Sequence, residues 1–124
     1  KRLRAEGWEV YGYEPHGPAH GGGKHVLTTR SELEQIKPAG IFSNNVLEHF
    51  RYPVAALRDM ASLLPGGALM SHATPCFEYR FEFTRFHLFF FLGKSREWIA
   101  EQANLSIVNY QTDGDFMNLV LEVR

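Results

Sequence analysis

The chain has 124 residues, 44% of them hydrophobic and 22% charged, and a formal net charge of −1. Those figures fit one globular domain or part of one, and they lack the basic excess that a nucleic-acid surface requires. The single cysteine, Cys76, excludes an internal disulfide framework and fits a reducing, cytoplasmic setting, while the longest apolar run, FHLFFFL (86–92), is too short to span a bilayer.

In chain order, KRLRAEG (1–7) reads as the last turns of a helix stopped by Gly7, as though the chain continued a longer parent. WEVYGYEP (8–15) is rich in β-branched and aromatic residues and reads as a strand. HGPAHGGGKH (16–25) is a glycine-dense loop. VLTT (26–29) is a short strand, and SELEQI (31–36) is a helical turn capped by Ser31 with Glu34 three residues on. Gly40 to Ser43 form a short buried strand that runs into Asn44 and Asn45.

From Pro53 a helix is signalled by proline at its first position and by Val54, Leu57, Ala61 and Leu64 at helical spacing. Pro65-Gly66-Gly67 end it and launch the strand ALMSHATP (68–75). In CFEYRFEFTRFHLFFF (76–91) aromatic residues alternate with charged ones, which suits a strand or a long aromatic loop. SREWIAEQANL (95–105) reads as a helix capped by Ser95, with Trp98, Ile99 and Ala103 inward. Two strands, 106–112 and 116–124, close the chain around a DGD turn. Strands alternating with helices, then a hairpin, predict a three-layer α/β fold with a mostly parallel sheet and one antiparallel edge.

Ligands of open α/β sheets sit outside the carboxyl ends of the strands. Glu14, Asn44-Asn45 and Pro75 stand at three such ends. A carboxylate there can accept hydrogen bonds from a ribose diol, and asparagine amides, which donate and accept, suit a zwitterionic ligand. Both roles have plainer counterparts: Glu14 as a solvated strand end, and the asparagines as a turn with local side-chain bonding.

Taken together, VYGYEP (10–15), FSNNVLEHFRYPVAALRDMASLLPGGALMSHATP (42–75) and FHLFFFLGKSREWIAEQANLSIV (86–108) resemble the class I S-adenosylmethionine-dependent methyltransferases. The nearest likeness is to the small-molecule branch in which a Leu-Glu-His step, a proline-started helix and a Pro-Gly-Gly turn follow in order. The resemblance implies a Rossmann-like fold that binds S-adenosylmethionine and methylates an O or N atom of a small molecule or glycan. Glu14 would hold the cofactor ribose, and Asn44 and Asn45 its methionine part. Thr28 or Thr29 would stand at the adenine, where the family usually has an acidic residue. His49 would lie by the transferring methyl as a candidate base, with His72 and His87 as weaker alternatives, or it would simply orient the helix start with Glu48 as a solvated or structural partner. Tyr79, Arg85 and His87 would help shape the acceptor site.

One departure from the family is large. Its first strand and glycine-rich loop precede the ribose-binding carboxylate by roughly 20 residues, and Glu14 has only 13 residues before it. The sequence therefore reads as one partial domain over 1–124, lacking that strand and loop, with unpaired edges that invite strand exchange or a homodimer. His16, His20 and His25 do not have the spacing of a metal site, and no metal is expected. Cys76 reads as a small apolar filler. A methyltransferase-like scaffold without chemistry and a nicotinamide-dependent enzyme are the two competing readings; the Leu-Glu-His and Pro-Gly-Gly steps speak against the second.

Overall fold

The structure, a computed structural model, describes residues 2–17, 23–75, 87–113 and 116–124. It forms two compact units, Lys1–Pro38 and Ala39–Arg124.

In the first unit, helix α1 (Arg2–Ala5) ends at Gly7, whose φ of +92° is the left-handed stop that glycine adopts without strain. The strand expected over 8–15 is confined to β1 (Gly12–Tyr13), which pairs in parallel with β2 (Val26–Leu27). A strand extends only as far as its partner, and here the ladder ends with Gly12 N–H donating to His25 and Glu14 N–H donating to Leu27. Trp8, outside that ladder, is 67% exposed. Helix α2 (Arg30–Ile36) starts one residue before the expected Ser31, because its cap is Thr29 and not Ser31. The Thr29 side chain accepts from Glu32 N–H while the Glu32 carboxylate accepts from Thr29 N–H at 2.9 Å, a complete capping box.

The second unit is built on a four-stranded sheet of β3 (Gly40–Asn44), β4 (Leu69–Pro75), β5 (Leu105–Thr112) and β6 (Phe116–Val123), in the order β3-β4-β6-β5. β3 and β4 are parallel, and β6 is antiparallel to both of its neighbours. The hairpin thus folds its second strand into the sheet, so the antiparallel strand is interior and not at the edge as its place in the sequence suggested. Val108 is the extra residue of a bulge in β5, between the Ile107–Leu121 and Asn109–Val120 pairs. Gly40 is required where β3 approaches β4, since a Cβ there would sit 3.0 Å from the Leu69 carbonyl oxygen.

Alternate residues place Met70, His72 and Thr74 of β4 beside Leu121, Leu119 and Met117 of β6, on one face. Leu57 of helix α3 (Pro53–Ala61) and Ile99 and Ala100 of helix α4 (Ser95–Gln102) join that face in the core. The opposite face carries Phe42, 63% exposed, and Leu69, 48% exposed. α3 begins at Pro53 as read, and Gly67, at φ +79°, turns the chain into β4 with its N–H on the Val123 carbonyl. α4 is capped by Lys94 without a side-chain bond, Ser95 being its first helical residue. It ends at Gln102, three residues short of the expected end, where Asn104 turns left-handed and β5 begins. Trp98 points outward, 58% exposed: Ile99 and Ala103 lie on one stripe of the helix, and Trp98 is a residue out of phase with it. The Arg58 guanidinium donates to the Gln102 carbonyl, through Nε at 3.0 Å, placing a cation on the carbonyl end of α4. No helix among the described residues is long and apolar enough to cross a membrane.

Leu119 is fully buried. Leu119→Ala should therefore lower unfolding stability by about 3 to 5 kcal/mol, whereas Trp98→Ala should stay within roughly 0.5 kcal/mol. Urea denaturation of both variants checks this, and a larger loss at Trp98 would mean the α4 register is wrong.

Candidate functional site

Glu14 directly follows β1, half-buried, and turns the chain. Its carbonyl accepts from Gly17 N–H at 3.2 Å, and among the described residues its carboxylate Oε1 takes only a long 3.4 Å bond from His16 N–H. The carboxylate thus retains acceptor capacity at the carboxyl end of a strand. Thr28 and Thr29 are engaged locally. Glu32 Oε2 accepts from the N–H of Thr28 at 2.8 Å and from the Thr29 hydroxyl at 3.0 Å. These donors, the Thr28 N–H foremost, hold the Glu32 carboxyl below its ordinary range.

In the second unit, Asn44 ends β3 with its side chain exposed. Asn45 follows with φ +53° and donates its N–H to the Ala73 carbonyl at 2.9 Å. Asparagine is among the few residues with a side chain that enter this left-handed region readily, so one of the two asparagines has a backbone reason to be there.

The next step of the chain decides between the solvated and the structural reading of Glu48. Leu47–His49 form one 3₁₀ turn in which Glu48 is fully buried rather than solvated. Its Oε2 accepts from the Thr74 hydroxyl of β4 at 2.7 Å, and its carbonyl accepts from Leu88 N–H at 2.8 Å. Its Oε1 has no hydrogen-bond partner among the described residues, and lies 3.8 Å from His49 Nε2. The His49 side chain is 43% exposed, and its ring meets that of half-buried His87 edge-on at 5.0 Å. A carboxylate and two imidazoles therefore converge. Only the adjacency of Glu48 to His49 was visible beforehand, since the residues that bury Glu48 lie far off in sequence.

His72, the alternative base, is fully buried on β4, where its Nδ1 shares a 2.7 Å hydrogen bond with the Ser43 hydroxyl. Burial lowers its pKa to about 4, so the ring is neutral at pH 7 and out of reach of an acceptor. Tyr79 and Arg85, and with them Cys76 and His20, lie outside the described residues.

A family model described as a methyltransferase domain matches residues 1–110, and the chain belongs to that family. Its α/β fold is that of the class I methyltransferases. The crystal structure of TnmH aligns with a TM-score of 0.56 at 16% identity, over 82% of this chain and 36% of that one. An O-methyltransferase family protein from Burkholderia thailandensis aligns with a TM-score of 0.51 at 14% identity, over 80% of this chain and 36% of that one. The chain thus spans little more than a third of the length of either. No curated protein matches it.

Asn45→Ala should cost about 1 kcal/mol of stability and Asn45→Gly only a few tenths, because glycine accepts the left-handed turn. Equal losses in urea would remove the backbone explanation. His72 adds a pH signature. Above about pH 6.5 it is neutral folded or unfolded. Between there and pH about 4, the unfolded chain takes a proton that the folded one refuses, so stability falls as pH falls, by up to about 3 kcal/mol. Urea midpoints at pH 7 and 4.5 should therefore differ more for the wild type than for His72→Gln, and equal pH dependence would contradict the burial argument.

Proposed function

We propose that this chain carries the ribose and methionine ends of an S-adenosylmethionine site, in a protein that methylates an O or N atom of a small molecule or glycan. The observation that carries the reading is the methyltransferase family match over residues 1–110, with acceptor and amide side chains at the strand ends where this fold binds ligands. The donor set fits the cofactor: Glu14 keeps carboxylate lone pairs for a ribose diol, and the exposed Asn44 amide suits an amino-acid end. Both adenine candidates also serve the start of α2, Thr29 as its cap and half-buried Thr28 through its N–H and, at 3.5 Å, its hydroxyl on Glu32 Oε2.

When bound, the cofactor supplies an electrophilic methyl group on a sulfonium. The protein's share is alignment, which can lower the barrier of such a displacement by several kcal/mol, and proton removal when the acceptor is a hydroxyl. His49 is exposed enough to meet an acceptor, and its imidazole takes that proton. Glu48 Oε1, 3.8 Å from Nε2, steadies the imidazolium. The free edge of β3, an end strand among the described residues, offers a pairing surface to a second copy.

Calorimetric titration with S-adenosylhomocysteine, with NADH as control, tests the reading. Binding is expected with the former alone, and Glu14→Ala should weaken it by about 10- to 100-fold, the worth of a charged hydrogen bond. Preference for NADH, or affinity indifferent to Glu14→Ala, would overturn it.

A further inference from the structure

The convergence of Glu48, His49 and His87 is more than a base with a neighbour. One ligand atom from each lies within 4.8 Å of the others. Two atoms bound to one zinc-sized cation stand roughly 3 to 3.5 Å apart, given metal–ligand distances of about 2.1 Å. To hold one cation the three ligand atoms would therefore draw together by about 2 Å at most.

The chemistry of Glu48 makes the case directional. A carboxylate at zero exposure is expensive unless it is paired, protonated or bound to a metal. Thr74 satisfies one oxygen at 2.7 Å. The second, Oε1, is buried with no hydrogen-bond partner among the described residues, and faces the His49 ring at 3.8 Å. Thr74 is also the support that a metal-binding carboxylate commonly has, a hydrogen bond to the oxygen that does not coordinate.

We propose that Glu48, His49 and His87 form a binding site for a divalent cation of zinc, cobalt or nickel type. Two imidazoles and one carboxylate suit such ions better than magnesium or calcium, which prefer oxygen alone. Three protein ligands with an exposed edge at His49 leave a coordination position open, the arrangement of a catalytic centre and not of a closed structural one. A hydroxyl bound there loses its proton near neutral pH, so the cation would take over the task given above to His49 alone. The site itself does not depend on the methyltransferase reading, because its test needs no cofactor.

The probe is Co²⁺ added to the whole 124-residue chain, read by its visible absorption, with Zn²⁺ competing against a chromogenic chelator. One equivalent should bind. His49→Ala and His87→Ala should each weaken binding by at least the roughly 10- to 100-fold that loss of a ligand's supporting bond costs. Glu48→Gln should do the same; if burial makes that variant unstable, the two histidine variants decide alone. Absence of binding, binding that survives either histidine variant, or binding abolished by His16→Ala with His25→Ala would overturn the proposal. Failure here would leave the S-adenosylhomocysteine titration untouched, and the reverse holds as well.

Discussion

Much of the second unit hangs on how Glu48 is held. Its side chain is tied to Thr74 near the end of β4, and its carbonyl to Leu88, ahead of α4. One residue thus joins three stretches of chain far apart in sequence: the turn after β3, the end of β4 and the approach to α4. Because the carboxylate is fully buried, breaking either tie leaves a polar group without water, a cost of about 1 to 3 kcal/mol that grows if the group is charged. That cost fixes the turn and with it His49, just after Asn44 and Asn45, which are held against Ala73 of β4.

The buried face of the sheet changes character along its length. At the amino end of β4, Met70 faces Leu121; two residues on, His72 meets Ser43; two further, Thr74 meets Glu48. Polarity therefore enters the core toward the carboxyl ends of the strands, where the fold places ligands. A core made only of leucines would be easier to stabilise but would present nothing there with which to do chemistry. The apolar half, with Leu57, Met70, Leu119 and Leu121 all at zero exposure, supplies the stability that the polar half consumes.

What the sequence revealed is what is locally encoded. Proline at the first turn of α3, the Pro-Gly-Gly turn and the terminal hairpin each carry their signal within a few residues, and each formed where it was read. The sequence T-R-S-E-L-E (29–34) contains two overlapping capping boxes, and pattern alone could not choose between them. The chain uses Thr29 with Glu32, which leaves Glu34 to pair with Arg30 at 2.9 Å on the surface. Trp98 misled because size suggested burial where helical phase dictated exposure. The burial of Glu48 was beyond reach, since its partners stand 26 and 40 residues away and glutamate is ordinarily solvated. The interior place of β6 was hidden for the same reason: pairing with β4 is a long-range choice.

That placement affects how the unit is assembled. β4 and β5 are both made before β6, yet neither has its neighbour on that side until β6 arrives between them. During synthesis the strand bearing His72 and Thr74 can pair only with β3, and its other edge stays open while some 40 further residues are added. The core face closes in one late, cooperative step, when Met117, Leu119 and Leu121 slide in opposite Thr74, His72 and Met70. A nascent chain stalled before residue 116 would display that open edge to any strand nearby, so this is the interval in which a chaperone has most to protect.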